Sequence, residues 1–537
     1  MNNSHALKKD TVLLTVDGIG SYEVPAGSNL RETLRREGVY IDGTCADNGT
    51  CGRCVVRVIH GDAGSPSLQE TALLGDKAVN NGQRLACRVV VKGDLEIYID
   101  PERMVEIDTT GRWKEVWDSP LWRPELLNEG SEGFGVAVDV GTTSIASILL
   151  DMSRNKPLDI RTSANPQMPW GDDIISRLGA AAKDRDTAAK LQTLALNTVK
   201  DQVRSLCLRN GVSGGRIIRL VVVGNSAMHH LVFGSPVEDL LKPPYSPSRA
   251  SGVVLTPDKL PIKLEVNRRA EIFSPPLIGG FAGSDAMASL LAAKVSRVKK
   301  GALLDVGTNT EIAVWNGDSI HVATAPSGPA FEGGHIKSGM RAEEGAIWKV
   351  GISGETVDCE VVGGVQAKGV CGTGMIDAVA SMLRNGILDH TGLLNAGSHP
   401  RVRNGAIILD VDSGITLKNE DMATIQKAKS AIASAFQVLL TVVGCTAEEL
   451  DNIFIAGAFG SRLNVLNAME MGLLPDIPAE RYILAGNTAL VGAAMMLASE
   501  EMRQRAESLS RSAKHFDLTE DPEFEEAFID NLYFPGG

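Results

Sequence analysis

The sequence contains no run of 18 consecutive apolar residues, which a membrane-spanning helix requires. The amino terminus, MNNSHALKKD, leads directly into TVLLTV and lacks the longer apolar segment of a signal peptide, so we expect a cytoplasmic protein. Positive charge is scarce as well: 53 Lys and Arg residues stand against 66 Asp and Glu residues, and the net charge is -13. Because nucleic-acid binding depends on clustered Lys and Arg, neither a nucleic acid nor a membrane is an expected partner.

The length of 537 residues exceeds what one hydrophobic core can organise, and about 100 to 200 residues per domain predicts three or four domains. Contents of 22% charged and 43% hydrophobic residues are typical of folded chains. We therefore predict a multidomain α/β protein. Changes in pattern indicate a small α+β domain, a polar linker and two α/β lobes, at residues 1–100, 101–133, 134–298 and 299–537.

The first hundred residues alternate short strands with short helices. TVLLTV and SYEV predict a hairpin, NLRETLRREG predicts a helix, and SLQE predicts the capping box of a second helix. RLACRVVV and DLEIYI are expected to complete the sheet. We interpret the linker as a segment strapped to a neighbouring domain by aromatic anchors, with a partner-docking segment as the alternative. Its tryptophans are Trp113, Trp117 and Trp122.

Two stretches of the α/β region repeat one pattern. VAVDVGTTSIASILLD at residues 136–151 and ALLDVGTNTEIAVWNG at residues 302–317 each hold an apolar strand, an Asp-Val-Gly-Thr turn and a second apolar strand. The repeat predicts two related lobes. In each turn the glycine lets backbone N–H groups approach an anion, and the Asp139 or Asp305 carboxylate suits a hydrated magnesium ion that bridges phosphates. Helices are predicted over residues 187–210, 420–443 and 488–502.

Two further glycine-rich stretches fit the same chemistry. GVCGTGMIDA at residues 369–378 is predicted to turn into a helix amino terminus, and FIAGAFGSRLN at residues 454–464 to follow a strand with a glycine turn. Helix amino termini favour anions, and bare glycine backbone can accommodate an adenine ring. The four motifs together favour a nucleotide site over a nucleotide-free structural fold.

DVGTT, DVGTN and AGAFG resemble the phosphate-1, phosphate-2 and adenosine motifs of the superfamily of acetate and sugar kinases, heat-shock chaperones and actin. The resemblance implies a two-lobed actin-like ATPase of ribonuclease-H-like topology that closes on Mg-ATP. It implies catalytic roles for Asp139, Asp305 and Glu311, and leaves open whether Asp305 or Glu311 orients the attacking water. The nucleotide-binding residues that we assign on this basis are Gly141, Thr142, Thr143, Asp285, Gly307, Thr308, Asn309, Gly372, Thr373, Gly374, Gly457 and Gly460.

Four cysteines of the amino-terminal domain, Cys45, Cys51, Cys54 and Cys87, form a C-x5-C-x2-C loop and one distant thiol. A zinc ribbon usually presents two CxxC pairs, a disulfide framework is disfavoured in a reducing compartment, and a thioredoxin-like pair leaves two thiols unexplained. A [2Fe-2S] cluster needs four thiolates, three from one tight loop and one from a distant strand. The spacing resembles that of adrenodoxin-like ferredoxins, which implies a β-grasp domain with the cluster on these four thiols; zinc is the main alternative.

An electron carrier joined to an ATP-hydrolysing clamp is useful where an electron must reach an acceptor of very low potential. The whole chain, including GNSAMHHLVFG and SGPAFEGGHIKSGMRAEEGAI, resembles the reductive activators of corrinoid-dependent methyltransferases. The resemblance implies that ATP-dependent electron transfer returns the Co(II) corrinoid of a partner protein to Co(I). It also implies a separate electron donor to the cluster, and it allows a homodimer. An activator of another low-potential enzyme, such as a dehydratase, and a redox-sensing nucleotide-binding module are the competing hypotheses.

The sequence leaves the roles of some residues with reactive side chains open. His229 and His230 follow a buried strand, where histidines are more often structural than ligands of cobalt or a partner. Cys371 is expected to pack rather than react. Asp285 and Glu332 lie in glycine-rich loops that can face the cleft or serve as caps and turn formers. No run of cysteines follows Cys445, which distinguishes the chain from activators with two carboxy-terminal [4Fe-4S] clusters.

Overall fold

The computed structural model describes residues 11–17, 20–36, 39, 41, 49, 54–99, 119–124, 127, 132–171, 173–295, 297–457, 459, 462–519 and 521–536. They belong to two compact units, one within residues 1–107 that also includes Met168–Trp170, and one formed by the remainder from residue 108. Among the described helices, none is long and apolar enough to cross a membrane.

The amino-terminal unit is a small α+β domain. Its elements are β1 (Thr11–Val16), β2 (Gly20–Pro25), β3 (Ser28–Asn29), α1 (Leu30–Arg36), β4 (Val55–Gly61), α2 (Leu68–Leu74), α3 (Asp76–Asn80), β5 (Gln83–Leu85), β6 (Val90–Val91) and β7 (Leu95–Tyr98). The main sheet has the order β2-β1-β7-β4-β5, in which β1 and β7 are parallel and the other neighbours are antiparallel. This mixed sheet agrees with the predicted β-grasp domain.

Local sequence accounts for most of these elements. Alternate residues of β1 face the core, so Leu14 and Val16 are buried between exposed or half-buried neighbours. The predicted capping box is confirmed, since the Ser67 side chain accepts from the Glu70 N–H and the Glu70 side chain accepts from the Ser67 N–H. The prediction that RLACRVVV completes the sheet is correct for β5 only, because a 3-10 turn that holds Cys87 separates β5 from β6, and β6 pairs with β3 in a second, two-stranded sheet.

The larger unit contains two lobes, each named here by its main sheet. The first lobe contains β8 (Phe134–Val140), β9 (Ser144–Asp151), β10 (Lys156–Ala164), α4 (Ile174–Lys183), α5 (Arg185–Arg209), β11 (Ile217–Gly224), α6 (Ser226–Phe233), β12 (Val253–Leu255), β13 (Glu271–Ser274) and α7 (Ser284–Val295). Its sheet has the order β10-β9-β8-β11-β13-β12. The residues before β8 contribute as well, because Leu121 is buried in the core of this unit and Trp122 packs against that core. Trp113 and Trp117 lie outside the described residues.

The second lobe follows directly in the chain. Its elements are β14 (Lys300–Val306), β15 (Thr310–Asn316), β16 (Ser319–Ala325), β17 (Ala346–Ser353), β18 (Thr356–Val361), β19 (Gly369–Val370), α8 (Gly372–Arg384), β20 (Val402–Arg403), β21 (Ala406–Asp410), β22 (Ile415–Lys418), α9 (Asn419–Val443), β23 (Asn452–Gly457), α10 (Val465–Glu470), β24 (Tyr482–Gly486), α11 (Thr488–Ala498), α12 (Glu500–Ser512), β25 (Ala513–His515) and α13 (Pro522–Asp530). The main sheet has the order β24-β23-β14-β15-β16-β25, and β17–β19 and β20–β22 form two small sheets.

The two main sheets share one topology. In each, three antiparallel strands, β10-β9-β8 or β16-β15-β14, are followed by two strands parallel to the last of them, β11-β13 or β23-β24. This is the ribonuclease-H-like arrangement, so the predicted two-lobed actin-like fold is confirmed. The repeated motifs occupy equivalent places: β8 ends at the turn after Asp139, and β14 ends at the turn after Asp305.

Helices α7 and α11 join the lobes through one shared apolar core. This core includes residues of β8, β9 and β11 from the first sheet, residues of β14, β15 and β23 from the second, and nearly the whole of α11. A Cβ atom added at Gly492 of α11 would overlap the backbone of Ala288 in α7. The absence of a side chain at Gly492 therefore permits this close approach.

The predicted helix over residues 488–502 is interrupted. Ser499 has extended backbone angles, φ -136° and ψ 126°, and separates α11 from α12. The two parts also differ in surroundings, because every residue of α11 is buried, whereas α12 keeps several charged residues exposed. The periodicity of TALVGAAMMLASEEM does not reveal this break, since Ser and Glu are compatible with a helix interior.

Replacing Gly492 by alanine is expected to lower the melting temperature, because the new methyl group meets backbone that cannot rotate away. Overpacking costs about 1 to 3 kcal/mol, which outweighs the roughly 1 kcal/mol that alanine gains in helix propensity. Gly179 lies within α4 with nothing near the added methyl group, so Gly179→Ala is the matched control and should raise the melting temperature. Equal shifts of the same sign in the two variants would contradict this account of the α7–α11 contact.

Candidate functional site

Four carboxylates converge between the two main sheets. Asp139 lies near the end of β8 and Asp305 near the end of β14. Glu311 on β15 is the register partner of Asp305, and Asp285 lies in the first turn of α7. Each side chain keeps part of its surface accessible. The structure thus brings together four of the acidic residues singled out from the sequence. Asp285 is one of them, although the sequence left open whether its side chain faces the cleft or forms a cap or turn.

Burial and mutual repulsion disfavour ionisation of this group. Burial raises the pKa of Asp139 to about 6, with a smaller contribution from the nearby Asp305 charge, and a hydrogen bond from Asn487 opposes the rise. Burial also raises the pKa of Asp305 to about 6. The pKa values of Asp285 and Glu311 are raised well above their usual range by burial first and then by the neighbouring carboxylates.

Such a set of oxygen ligands fits a hard divalent cation. Mg²⁺ prefers carboxylate and water oxygens, and its charge would relieve the repulsion that raises these pKa values. Among the described residues, no three His, Cys, Asp or Glu side chains are placed to hold an ion together. Mg²⁺ in nucleotide sites is usually bound through one or two carboxylates together with water and phosphate oxygens.

A pH-dependent gain in stability is expected when Asp139 is replaced by asparagine. The folded-state pKa of Asp139 is about 6, above the usual 3.8, so its favourable contribution to folding is lost as pH rises from about 4 through 6. The asparagine side chain cannot ionise, so without Mg²⁺ the D139N variant should melt above wild type at pH 8, with a smaller difference at pH 5. Thermal unfolding of both proteins in EDTA at pH 5 and pH 8 tests this. An equal difference in melting temperature between D139N and wild type at the two pH values would refute the raised pKa.

The phosphate-1 turn is braced by buried polar side chains. Asn165 Nδ2 donates to the Gly141 carbonyl at 2.8 Å, and the Asn165 N–H donates to the Thr143 carbonyl at 2.9 Å. Arg177 Nη1 donates to the Thr142 carbonyl at 2.8 Å. Gly141, Thr142 and Thr143 therefore form one supported turn beside Asp139, as their motif predicts for a phosphate-binding loop.

Asn225 adds a side-chain contact to the same turn. Its Nδ2 donates to Thr142 Oγ1 at 3.0 Å, and its Oδ1 accepts from the Met228 N–H at 2.9 Å as the N-cap of α6. Asn165, Arg177 and Asn225 were not identified from the sequence. Only Asn225 gave a local signal, since asparagine before SAMHHL is typical of an N-cap, and its contact with Thr142 joins residues 83 positions apart.

The phosphate-2 turn is held in a comparable way. Ser327 Oγ lies 3.3 Å from the Gly307 carbonyl and 3.4 Å from the Thr308 carbonyl. The Thr308 hydroxyl donates to the Glu332 carboxylate, so Glu332 faces this turn. Asn309 completes the turn before β15 begins. The SGPAFEGG segment thus supports the turn that carries the second set of predicted phosphate-binding residues.

The adenosine motif lies beside the strand that leads into the phosphate-2 turn, and the Gly-Thr-Gly turn begins a helix of the same lobe. Gly457 ends β23 with φ +73°, and a Cβ atom there would overlap the backbone of Val306 and crowd the Asp305 carboxylate. Gly372, Thr373 and Gly374 form the first turn of α8. The structure therefore places the bare backbone of Gly457 beside the Asp305 carboxylate. Gly460 lies outside the described residues.

Two of the four predicted cluster cysteines are described and lie together. The Sγ atoms of Cys54 and Cys87 are 3.4 Å apart, and both side chains are buried. Asn29 Nδ2 donates to the Cys87 carbonyl at 2.9 Å, which fixes the turn between β5 and β6. Cys45 and Cys51 lie outside the described residues. Two adjacent buried thiols from distant parts of the chain fit a shared metal centre.

The histidine pair of α6 is buried, and neither ring nitrogen of His229 has a hydrogen-bond partner among the described residues. His230 Nδ1 lies 2.7 Å from the Ser226 carbonyl, and the His229 ring packs against Phe233 with the ring centroids 4.9 Å apart. Burial lowers the pKa of His229 to about 3, helped by the neighbouring His230 and Arg249 charges. Both imidazoles are therefore neutral near pH 7.

Three segments of the chain match described families. Residues 14–92 match the 2Fe-2S iron-sulfur cluster binding domain, and residues 134–298 match the RACo middle region. Residues 300–537 match the C-terminal domain of RACo, the ASKHA domain. The segments follow one another in the order of the amino-terminal domain, first lobe and second lobe.

Relatives of known name are similar over most of the chain. The corrinoid activation enzyme RamQ of Eubacterium limosum is 32% identical over 420 residues, which cover 75% of this chain and 70% of that protein. A [Co(II) methylated amine-specific corrinoid protein] reductase of Methanosarcina barkeri is 27% identical over 390 residues, which cover 66% of this chain and 68% of that protein. The solved structure of a reductive activator for corrinoid, iron-sulfur protein matches with a TM-score of 0.69 at 26% identity, over 98% of each chain.

Proposed function

This chain belongs to the family of corrinoid activation enzymes, and we propose that it restores Co(I) in the corrinoid protein of a methyltransferase system by ATP-driven transfer of one electron. It is an enzyme that reductively activates corrinoid proteins, with a [2Fe-2S] cluster, ATP and Mg²⁺ as cofactors. In the proposed step the reduced cluster loses one electron and the Co(II) corrinoid gains it. The observation that carries the proposal is the presence of the ferredoxin domain and the ATPase lobes in one chain.

The need for ATP follows from the potentials involved. Each 59 mV of unfavourable potential difference lowers the equilibrium constant of a one-electron transfer tenfold. An ordinary ferredoxin alone therefore cannot reduce an acceptor of very low potential to a useful extent. Closure of the two lobes on ATP can shift that equilibrium only if the protein interacts differently with the partner in the open and closed states. We propose that ATP hydrolysis resets the protein to the open state after each transfer.

The chain's own residues supply the parts that this cycle requires. We propose that Asp139, Asp285 and Glu311 hold the hydrated Mg²⁺, and that the turns at Gly141–Thr143 and Gly307–Asn309 bind the phosphates from the two lobes. Asp305 is the best candidate to orient the attacking water, because a carboxyl group with pKa about 6 is mostly ionised at pH 7 and can accept a proton from water's O–H. The bare backbone at Gly457 and Gly460 would receive the adenine ring, and the helix amino terminus at Gly372–Gly374 would receive an anionic part of the nucleotide.

We propose Cys45, Cys51, Cys54 and Cys87 as the cluster ligands. The proximity of the Cys54 and Cys87 thiols supports this assignment, as does the match of residues 14–92 to the 2Fe-2S family. A separate reductant must recharge the site after each turnover, because the cluster exchanges one electron at a time. We also propose residence in the cytoplasm and association as a homodimer.

The proposal is tested with the purified protein, a chemically reduced cluster and a Co(II) corrinoid protein whose absorption reports the conversion to Co(I). Conversion should require ATP and Mg²⁺ and should stop after about one transfer per protein when a non-hydrolysable analogue replaces ATP, because the analogue permits closure but not the reset. Reduction of the corrinoid at the same rate without ATP would refute the coupling. ATP hydrolysis that responds to a radical dehydratase and not to a corrinoid protein would favour the dehydratase activator, and bound nucleotide without turnover would favour a redox-sensing module.

A further inference from the structure

The carboxylates of Asp139 and Asp305 are each bound by a side chain from the other lobe's part of the sequence. Asn487 Nδ2, which follows β24 of the second sheet, donates to Asp139 Oδ2 at 3.0 Å across a sequence separation of 348 residues. Ser289 Oγ on α7 donates to Asp305 Oδ2 at 3.2 Å, and Thr488 Oγ1 donates to Ser289 Oγ at 2.9 Å. Two consecutive residues at the start of α11 therefore reach both carboxylates: Asn487 binds Asp139, and the Thr488 hydroxyl binds Ser289 and lies close enough to Asp305 to act on that carboxylate as well.

The geometry of these contacts is fixed by local structure. Asn487 is the N-cap of α11, and its Oδ1 accepts from the Leu490 N–H at 2.8 Å, so its amide group is bound at both ends. Ser289 and Thr488 are fully buried, where a hydroxyl hydrogen bond is strong because water does not compete for it. None of these side chains can turn away without leaving a buried polar group unsatisfied.

Helix α11 connects these contacts to the position of the lobes. Its residues are buried in the shared core, and Gly492 lies directly against Ala288 on α7, one residue before Ser289. A shift of α11 relative to either sheet would therefore displace Asn487 and Thr488 together. Interfaces packed this closely change between discrete arrangements instead of deforming gradually.

We propose that Asn487, Thr488 and Ser289 form a clasp that couples the positions of the Asp139 and Asp305 carboxylates to the position of α11, so that a shift of α11 when the lobes move displaces both carboxylates together. The clasp rests on the proposed ATPase function and deepens it, because it links the geometry of hydrolysis to the relative position of the lobes. The three residues act through the two carboxylates and are positioning residues. Misplacement of a catalytic group by about 1 Å can cost about 100-fold in rate.

The first test compares two substitutions at Thr488. T488V removes the hydroxyl group with little change in volume, and we expect kcat for ATP hydrolysis to fall about 10- to 100-fold while KM for Mg-ATP stays within about threefold. T488S keeps the hydroxyl group and should retain kcat within about threefold of wild type. A hydroxyl that only stabilises the fold would not produce this difference in kcat between correctly folded variants.

A double-mutant cycle tests whether Thr488 acts through Ser289. S289A alone should lower kcat to a similar extent, and the T488V/S289A double variant should be slowed by much less than the product of the two single effects. Ser434 of α9 is the matched control, because it is fully buried and its Oγ accepts from Asn531 Nδ2 at 3.0 Å, on the side of the lobe that holds α13. S434A should retain wild-type kcat.

Three outcomes would overturn the clasp: wild-type kcat in folded T488V, a T488S variant as slow as T488V, or single effects that multiply in the double variant. If T488V does not fold, S289A carries the test by its kcat, because alanine is favourable within a helix. Failure of wild-type protein to hydrolyse ATP would overturn the proposed function itself. The two failures are therefore separate results of the same measurements.

Discussion

Replacing Cys87 by serine is expected to abolish reduction of the Co(II) corrinoid. The Cys87 thiol lies 3.4 Å from that of Cys54 in the buried turn between β5 and β6, where it is placed to complete a four-thiolate site. Serine oxygen is a harder and weaker ligand for iron than thiolate. Loss of a side chain that hydrogen-bonds to a metal ligand commonly lowers metal affinity or activity by about 10- to 100-fold. Loss of a ligand itself should therefore slow Co(I) formation by more than about 100-fold.

The C87S variant is examined by visible absorption, iron content and the rate of Co(I) formation with ATP present. Cys445 provides the matched control, because it is a buried cysteine in the second lobe that packs against the apolar core. C445S should keep the iron content and the rate of Co(I) formation of wild type. A C87S protein that retains two irons and wild-type electron transfer would show that Cys87 is not a ligand.

Replacing Asp305 by asparagine is expected to lower ATP hydrolysis by about 100- to 1,000-fold. The Asp305 carboxylate lies at the end of the central strand of the second lobe and is the register partner of Glu311. Asparagine keeps the size and can accept the Ser289 hydrogen bond, but it has no negative charge with which to orient water or balance a cation. Removal of one fixed electrostatic group in an active site typically costs this much.

The D305N protein should still fold, since replacement of a carboxyl group whose pKa is raised removes an unfavourable charge. Its ATPase rate is compared with that of D258N, in which an exposed aspartate of the first lobe is neutralised. D258N should hydrolyse ATP at the wild-type rate. If D305N retains more than a tenth of wild-type kcat, Asp305 does not orient the water, and Glu311 becomes the residue to replace.

The repeated strand and turn motifs were the part of the fold that the sequence predicted best. Each motif combines an apolar run, an acidic residue and a glycine turn within 16 residues, so local interactions alone determine most of its form. The strands β8, β9, β14 and β15 are confirmed, as are the long helices α5 and α9. The shared topology then follows, because two copies of one motif predict two copies of one sheet.

The side chains that support the site were harder to predict. Asn487 and Asn165 act on residues that are distant in the sequence, and although Asn487 has the position of an N-cap before a predicted helix, that signal does not reveal its contact with Asp139. Their roles depend on how the sheets and helices pack, which periodicity does not determine. The break at Ser499 was missed for a related reason, since tertiary packing, and not helix propensity, separates α11 from α12.

The location of α11 has a consequence for how the protein is made. The sheet of the first lobe is complete in sequence by Ser274, yet part of its core is filled by residues 488–498, near the carboxy-terminal end of the chain. A ribosome that has translated only the first lobe therefore presents a domain with an uncovered apolar face. Exposed apolar surface makes such nascent chains prone to aggregation. Truncated proteins that stop before residue 488 are therefore expected to aggregate.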